Sequence, residues 1–413
     1  MTPVTIIGSG MAGYTLAREF RKLDKTTPLL IITTDDGGFY SKPMLSNAFA
    51  QNKQAAQLIS QTAVQMAEQL NANILQHTSV SQINTDNKTI STSAGEFAYD
   101  KLVMAVGAQP IRLPIAGNAA DKVMSVNHVS DYAALRQNMI AIGEKTRITI
   151  LGAGLIGCEF ADDLAGAGHL VTLVDPNPRP LAALAPEPIS NVLQDALAQR
   201  GVTFRLGTSA SSIDYVTHTE RNAAPPQHAA LRVTLASGDI IEADIVLSAV
   251  GLRPDLRLAL TAKLATERGI LVDTTGLTSA SDVYALGDCA QYTHPEDGSR
   301  PVLPYIAPIM TAARAIARSL TGEITQIELK PAPVIVKTPS CPIALVAPAL
   351  HLAAQGRWQH EHLGSPSISR FYAADGSLKG FAIAPQDAKL RTALLAEMSA
   401  PAATPVTTAI LPA

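Results

Sequence analysis

A glycine pattern that occurs twice constrains this chain more than any other feature of its sequence. Each copy reads G-x-G-x-x-G and directly follows a short apolar run, and the glycines are Gly8, Gly10 and Gly13 in the first copy and Gly152, Gly154 and Gly157 in the second. In such a loop the first glycine makes the turn out of the strand, the second lets the backbone approach a pyrophosphate, and the third lets the next helix pack on the strand. The free N–H groups of that helix then face the phosphates. The sequence therefore predicts two dinucleotide-binding units.

The sequence after the first glycine copy predicts the helix and second strand of a dinucleotide-binding unit. A helix is predicted from Met11 to about Leu23, and the apolar run 29–33 then ends at Asp35, which lies 22 residues after Gly13. An acidic side chain about 20 residues beyond the last glycine meets the ribose hydroxyls of a bound dinucleotide. Without the glycines, a solvated turn at a strand end would be the better interpretation of Asp35.

The second copy repeats this order, so the two weak signals reinforce each other. Its helix carries Glu159, and its second strand ends at Asp175, 18 residues after Gly157. A carboxylate accepts a hydrogen bond from a free 2′-hydroxyl but repels a 2′-phosphate, which favours NADH over NADPH. Arg179 lies close enough in sequence to accommodate a 2′-phosphate and leaves NADPH open.

Composition narrows the class of protein. A length of 413 residues implies two or three domains, and a composition of 47% apolar and 16% charged residues is typical of a globular chain. The net charge of −3 gives no global attraction for nucleic acid or anionic lipid. We found no signal peptide and no apolar run of about 18 residues, which predicts a cytoplasmic protein without membrane insertion. The cysteines are far apart and predict neither a metal site nor a disulfide; they are Cys158, Cys289 and Cys341.

The chain is predicted to leave its first nucleotide-binding domain and later return to it. The A-V-G segment at 105–107 recurs at 249–251, and a strand at 283–286 delivers Gly287 and Asp288 at its carboxyl end, where parallel sheets bind ligands. A helix with Pro308 in its first turn follows. We predict an α/β fold with two Rossmann-like domains and a small α+β C-terminal domain. The predicted ranges are 1–114 with 245–325, 115–244, 326–398, and a disordered tail at 399–413.

Turn residues and apolar runs predict the remaining segments. Residues 221–230 are predicted to form a solvent loop, and residues 94–96 a turn. The C-terminal domain is predicted to contain a small antiparallel sheet, with strands at 334–336, 343–346, 368–372 and 380–383.

Over nearly its whole length the sequence resembles the FAD-dependent pyridine-nucleotide reductases, and among them the rubredoxin reductases. The two glycine loops, the paired A-V-G segments, G-L-R-P at 251–254 and A-L-G-D-C at 285–289 carry the wider resemblance. The narrower one rests on Y-S-K-P-M-L-S at 40–46, L-G-A-G-L-I-G-C-E-F-A at 151–161 and V-K-T-P-S-C-P at 336–342.

The resemblance implies that the first domain binds FAD, that the second binds NADH and that the returning chain completes the flavin site. A lysine near flavin N1 and O2 would stabilise the reduced, anionic ring. The implied roles are as follows: Gly8, Ser9, Gly10, Met11, Ala12 and Gly13 at the FAD pyrophosphate, Asp35 at the adenosine ribose, Val80 at the adenine, Asp288 at the ribityl chain, Lys42, Pro43, Ile306 and Lys337 beside the flavin ring, and Glu159 where nicotinamide and flavin stack.

One departure from the wider superfamily sets the predicted electron path. Disulfide reductases and their peroxidase or coenzyme A relatives carry reactive cysteine near positions 40–50, whereas this chain has Ser41, Lys42 and Ser46. The resemblance therefore implies hydride transfer from NADH to FAD and single-electron delivery to rubredoxin, an acidic iron protein, without a thiol relay or a catalytic side chain. Two interpretations of the basic residues remain equally open. Lys53, Arg314 or Arg318 contribute to a basic surface that docks rubredoxin, or they are scattered, solvated charges.

Three alternatives stay open from the sequence. Two are enzymes, a ferredoxin reductase of an oxygenase system and a flavorubredoxin reductase. The third is a flavin-binding sensor or scaffold of the apoptosis-inducing-factor type, which uses the same fold for interaction. For the favoured interpretation we expect a monomer that supplies a monooxygenase such as alkane hydroxylase.

Overall fold

A computed structural model describes residues 1–143, 145–216, 230–294, 298–361 and 364–399. Most of the predicted loop 221–230 and all of the predicted tail beyond Ser399 lie outside these ranges. The helices are α1 Met11–Leu23, α2 Ala55–Leu58, α3 Ala63–Leu70, α4 Val129–Ile142, α5 Leu155–Gly166, α6 Glu187–Gln199, α7 Arg257–Thr261, α8 Ile306–Leu320, α9 Leu350–Ala353 and α10 Ala388–Ser399. Short 3-10 helices span Lys42–Asn47, Ala120–Lys122 and Gly287–Cys289.

The strands follow in chain order. They are β1 Val4–Ile7, β2 Leu29–Ile32, β3 Phe39–Tyr40, β4 Ile59–Gln61, β5 Asn73–Leu75, β6 Val80–Asn84, β7 Thr89–Thr92, β8 Gly95–Ala98, β9 Lys101–Met104, β10 Ala108–Pro110, β11 Arg147–Leu151, β12 Leu170–Asp175, β13 Thr203–Leu206, β14 Ala210–Tyr215, β15 Leu231–Leu235, β16 Ile240–Ala243, β17 Ile245–Ser248, β18 Leu252–Pro254, β19 Ile270–Val272, β20 Val283–Ala285, β21 Ala290–Tyr292, β22 Val334–Val336, β23 Ile343–Val346, β24 Arg357–Glu361, β25 Ser367–Tyr372 and β26 Leu378–Ala384.

Two parallel sheets carry the two glycine loops. The first has the order β20-β9-β1-β2-β5, and its returning strand pairs Val283 with Leu102 of β9. The second has the order β13-β12-β11-β17. The central strand Val4–Ile7 is buried along its whole length, including Thr5, as expected where helices cover both faces of a parallel sheet. The order places the carboxyl ends of β1 and β20 at one edge of the first sheet.

The chain crosses between the two sheets on a pair of strands. β10 and β18 pair antiparallel, with Ala108 opposite Pro254. Each strand directly follows one of the two A-V-G segments, so the repeated sequence marks where the chain leaves the first sheet and where it leaves the second. Hydrogen bonds between these two connections hold them side by side.

The C-terminal part is a five-stranded antiparallel sheet in the order β22-β23-β26-β25-β24, with α10 packed on β26. Four of its strands were predicted, but β24 was missed because its sequence, R-W-Q-H-E, is polar and lies at the sheet edge. The predicted turn at 94–96 was wrong in part, because Gly95–Ala98 forms β8 opposite β7. Both strands are secured by pairing with a neighbour rather than by their own apolar pattern.

Candidate functional site

One cleft of about 3000 Å³ runs between the two parallel sheets and the C-terminal sheet. The N-termini of three helices face this cleft, and among the described residues none of the three has a side-chain cap: two N-cap residues are glycines, and the Tyr305 side chain makes no capping hydrogen bond. The N-cap residues are Gly10 for α1, Gly154 for α5 and Tyr305 for α8. Free N–H groups and the positive ends of three helix dipoles therefore face one cavity, which suits anionic groups.

The first glycine loop has three distinct geometric reasons for its glycines. Gly8 has a φ of +111°, and a Cβ there would lie 2.3 Å from the carbonyl oxygen of Ala105. A Cβ on Gly13 would lie 1.9 Å from the carbonyl oxygen of Gly8, so α1 can approach β1 only with glycine there. A Cβ on Gly10 would meet no atom within 4 Å. The Gly10 position opens to the cleft, which is where a pyrophosphate would approach the backbone.

The second loop repeats this arrangement. Gly152 has a φ of +104°, and its Cβ would lie 2.8 Å from the carbonyl oxygen of Ala249. A Cβ on Gly157 would lie 1.9 Å from the oxygen of Gly152, and one on Gly154 would meet nothing within 4 Å. The space at each middle glycine and the close approach at each third glycine fit two bound dinucleotides.

Asp35 lies at the mouth of the cleft, where β2 ends. Its Oδ1 accepts hydrogen bonds from the Thr33 hydroxyl (2.5 Å), from the Gly37 N–H (2.9 Å) and from the Ser9 hydroxyl (3.1 Å). All three bonds use the same oxygen, so Oδ2 is free of them, and the residue is exposed. The side chain is held in one orientation and presents an acceptor to a ribose.

Asp175 is more enclosed than Asp35, with an exposed fraction of 8%. Its Oδ2 accepts from the Ala153 N–H at 2.6 Å, and its Oδ1 accepts from the backbone N–H and side-chain amide of Asn177 at 2.7 and 2.8 Å. Asp175 therefore also braces the second glycine loop. Arg179 lies elsewhere, on a separate recess formed by α6 and the C-terminal sheet, and is absent from the cleft lining.

Lys42 and Asp288 approach each other across the cleft edge, with 3.7 Å between Nζ and Oδ2. Burial lowers the pKa of Lys42, and the Asp288 carboxylate opposes part of that shift. Ile306, the first residue of α8, lies at the same edge and is half exposed. An ion pair, a helix N-terminus and an apolar side chain are thus assembled from the segment at Lys42 and the distant segment that contains Asp288 and Ile306.

A buried carboxylate joins the second sheet to the cleft segments on either side. Glu159 is 0% exposed, and its Oε1 accepts from the Lys337 N–H at 2.8 Å. Its Oε2 accepts from the Lys337 ammonium at 2.9 Å and from the Ser46 hydroxyl at 2.5 Å. The Lys337 ammonium also donates to the Pro43 carbonyl at 2.5 Å. This network links α5 to the segments around residue 43 and residue 337.

The structure brings together at the cleft every site residue named from the sequence except two. Gly13 and Gly157 lie behind their loops, where they pack helix on strand. The sequence did not predict the roles of Ser46, Asp162 and Asp163. Each of these buried side chains forms a hydrogen bond with a residue more than 100 positions away in the chain. The signal available was the spacing of Glu159, Asp162 and Asp163, which places three acidic side chains on one helix face.

The cysteines lie outside the cleft lining. All three are buried free thiols, and burial raises the pKa of Cys158, of Cys289 to about 12 and of Cys341 to about 11. Such thiols are unreactive. The described residues contain no His, Cys, Asp and Glu cluster able to hold a metal.

Of the three cations considered for a basic surface, only Arg314 lines the cleft, whereas Arg318 pairs with Glu323 at 2.8 Å. Lys53 contributes its carbonyl oxygen, which accepts from the Tyr132 hydroxyl. Within the described ranges, no helix has the length and apolarity needed to cross a lipid bilayer.

Comparison with known families then identifies the chain. Residues 2–318 match the pyridine nucleotide-disulphide oxidoreductase family, and residues 326–398 match a rubredoxin-binding C-terminal domain. The chain belongs to the pyridine nucleotide-disulphide oxidoreductase family. The resemblance predicted from its motifs is confirmed. FAD and NADH are therefore its cofactors, and the open middle glycines and uncapped helix N-termini of this structure fit both of them.

Two curated relatives are similar over nearly the whole chain. The rubredoxin-NAD(+) reductase of Alcanivorax borkumensis is 41% identical and covers 97% of this chain and 99% of its own length. The nitric oxide reductase FlRd-NAD(+) reductase of Aeromonas salmonicida is 39% identical and covers 92% of each chain.

Solved structures show the same fold. Putidaredoxin reductase in its covalent complex with putidaredoxin has a TM-score of 0.83 at 22% identity, covering 96% of this chain and 93% of that one. The ferredoxin reductase of the CYP199A2 system from Rhodopseudomonas palustris has a TM-score of 0.83 at 24% identity, covering 95% and 93%. The predicted α/β architecture with two Rossmann-like parts and a C-terminal domain is confirmed.

Proposed function

We propose that this chain is an NADH-dependent rubredoxin reductase that passes electrons from NADH through FAD to rubredoxin. The observation that carries the proposal is the rubredoxin-binding domain at residues 326–398, whose strand β22 and following segment reach the cleft beside Lys42 and Glu159. The near full-length similarity to rubredoxin-NAD(+) reductases supports the same acceptor. When bound, FAD accepts a hydride and releases single electrons.

In this proposal the chain's own residues bind, orient and exclude water. The first loop, with Ser9, Met11 and Ala12, holds the pyrophosphate of FAD. Asp35 binds the adenosine ribose of FAD, and Val80 contacts its adenine. The second loop and Asp175 hold NADH. Lys42, Pro43, Ile306 and Asp288 surround the flavin-side end of the cleft, and the positive end of α8 favours negative charge there. The FAD range 1–114 with 245–325 and the NADH range 115–244 are part of the proposal.

The buried Cys158, Cys289 and Cys341 support direct transfer without a thiol relay, since none lines the cleft. The proposal implies the cytoplasm, where NADH is produced, as the compartment. It also extends to a downstream monooxygenase such as alkane hydroxylase as the final consumer of the electrons.

The test is a pair of half-reactions followed in an anaerobic stopped-flow instrument. The yellow FAD-loaded protein is reduced with NADH and then mixed separately with rubredoxin, with a flavorubredoxin and with a [2Fe-2S] ferredoxin. We expect rubredoxin to reoxidise the flavin fastest. Faster reoxidation by the ferredoxin or the flavorubredoxin would replace the proposed acceptor. Failure to reduce any one-electron carrier would instead favour a flavin sensor or scaffold.

A further inference from the structure

Three acidic side chains on one face of α5 are buried. Glu159, Asp162 and Asp163 have exposed fractions of 0%, 0% and 2%. Burying an ionised carboxylate is costly unless donors satisfy it. Glu159 is part of the cleft network described above, but the mechanism gives no role to the two aspartates. Each of them accepts hydrogen bonds from a different segment of the chain, and neither segment belongs to the second sheet.

Asp163 holds the N-terminal cleft segment. Its Oδ2 accepts from the Phe49 N–H at 2.7 Å and its Oδ1 from the Ala50 N–H at 3.1 Å. These N–H groups directly follow the 3-10 helix Lys42–Asn47, which begins with the lysine that approaches Asp288. Burial raises the pKa of Asp163, while these backbone hydrogen bonds oppose the shift.

Asp162 holds the C-terminal cleft segment. Its Oδ2 accepts from the N–H of Ser340 at 2.8 Å and from the Ser340 hydroxyl at 2.9 Å. Ser340 lies three residues after Lys337, whose ammonium bonds Glu159 and the Pro43 carbonyl. Arg200 Nε lies 3.6 Å from Asp162 Oδ1 and provides the compensating charge from the end of α6.

We propose that Asp163 and Asp162 are positioning residues, each of which fixes one lysine-bearing cleft segment to α5. Asp163 sets the place of the Lys42 segment, and Asp162 sets that of the Lys337 segment. Both aspartates lie on α5, the helix that directly follows the second glycine loop. One rigid helix therefore sets the positions of the two flavin-side lysines relative to the proposed nicotinamide site. The inference rests on the proposed FAD and NADH sites but not on the identity of the acceptor.

The geometry makes distinct predictions for the two aspartate variants. Asp163→Asn sets an amide N–H₂ against a backbone N–H donor, because both oxygens of Asp163 accept bonds, so the segment 42–53 should loosen more than 334–343. Both bonds from Ser340 use the same oxygen of Asp162, so Asp162→Ala is the variant that removes them, and it should loosen 334–343 more than 42–53. Losing a hydrogen bond to a charged group corresponds to about tenfold in an equilibrium.

The experiment is hydrogen exchange by mass spectrometry on the FAD-loaded full chain, without rubredoxin. For Asp163→Asn we expect about tenfold faster exchange in peptides covering 42–53, a smaller change in peptides of 334–343, which Lys337 links to Pro43, and unchanged exchange in β11. The same samples in stopped-flow should show flavin reduction at saturating NADH slowed about tenfold, with the half-saturating NADH concentration unchanged. Asp195→Asn, an exposed residue of α6, is the matched control and should change neither readout.

Equal loosening of both segments, or of β11 with them, would overturn the proposal, because the aspartates would then serve general stability. Unchanged exchange in the segment that each aspartate bonds would overturn it as well. Should an aspartate variant fail to fold, Ser340→Ala removes one bond to Asp162 from an exposed position. It should speed exchange of 334–343 by about threefold, and no change there would contradict the role of Asp162. Failure of the wild-type chain to bind FAD would instead count against the proposed function.

Discussion

At the scale of single residues, the aspartates that follow β2 and end β12 differ in burial and in hydrogen bonding. Asp35 is exposed and uses one oxygen for the protein, whereas Asp175 is nearly buried and uses both. A carboxylate has about four acceptor positions, so Asp175 retains capacity for a ribose hydroxyl while it braces the loop. Coenzyme choice and loop geometry therefore depend on the same side chain.

Replacing Asp175 with Asn should lower the ratio of kcat/KM for NADH to that for NADPH by about tenfold, which corresponds to one charge-assisted hydrogen bond. The cause is the loss of negative charge at the 2′ position. Steady-state kinetics with both coenzymes measure the ratio. Arg179→Ala is the comparison, because Arg179 faces a separate recess and its loss should leave the ratio unchanged. An unaltered ratio in the Asp175 variant would remove this residue from coenzyme selection.

The middle glycines give a second prediction at this scale. Gly10→Ala adds a Cβ that meets only the open cleft, so the apoprotein should keep its thermal midpoint while FAD affinity falls by about tenfold. Gly154→Ala should spare FAD and raise the KM for NADH instead. Titration of apoprotein with FAD and steady-state kinetics separate the two effects.

Gly13→Ala is the contrasting variant, since its Cβ would lie 1.9 Å from the Gly8 oxygen. It should lower the thermal midpoint of the apoprotein before any cofactor is added. Loss of apoprotein stability in Gly10→Ala would show that the position is structural rather than open for a ligand.

At the scale of elements, an ion pair ties the start of β11 to the turn before β17. Arg147 Nη2 lies 2.7 Å from Asp244 Oδ1, and the Arg147 N–H donates to Asp244 Oδ2 at 2.8 Å. Burial alone would raise the pKa of Asp244, but the hydrogen bonds from Arg147 outweigh it and lower the pKa. The inner strand β11 and the edge strand β17 of the second sheet are thus joined by a charge pair as well as by their backbone hydrogen bonds.

Asp244→Asn should reduce the free energy of unfolding by about 2 kcal/mol at pH 7, as expected for hydrogen bonds to a charged group. Because the folded pKa is lowered, the stabilisation is present above the ordinary pKa of about 3.9 and is lost as pH falls through the lowered value. The difference from wild type should therefore shrink below about pH 4. Urea unfolding at several pH values measures it, with Asp239→Asn in a nearby exposed turn as control. A difference that grew on acidification would contradict the sign.

At the scale of the whole molecule, Glu159 and Lys337 join segments from three parts of the chain. Glu159 is fully buried and the Lys337 side chain is 31% exposed. Removing one member of a buried pair leaves an uncompensated charge, whereas replacing both members is often nearly neutral. Cohesion between the second sheet and the cleft segments therefore depends on the pair more than on either residue.

Lys337→Met should lower the free energy of unfolding by about 3 kcal/mol, and adding Glu159→Gln should recover part of that loss. A double-mutant cycle by chemical denaturation measures the coupling. Lys22→Met, which breaks an exposed pair with Glu19 on α1, should cost at most about 0.5 kcal/mol. Strictly additive losses at 159 and 337 would mean that the two side chains do not depend on each other.

Local signals explain how far the sequence alone reached. The helix predicted from Met11 to Leu23 has those bounds in the structure, and both glycine loops, the returning strand and the cleft residues lie together as expected. The edge strand β24 and the hairpin strand β8 were missed because partners on other strands define them.

By itself the sequence determined the two nucleotide loops and the α/β class, because turn geometry and helix packing over a few residues demand glycine at fixed spacing. Only the tertiary structure decided that Glu159, Asp162 and Asp163 hold the cleft segments, since their partners lie more than 100 residues away. It also decided that Asp175 braces a loop and that Arg179 lies outside the cleft. The sequence does not show how deeply an acidic side chain is buried or which donors surround it. Folding determines both, and they give each carboxylate its role.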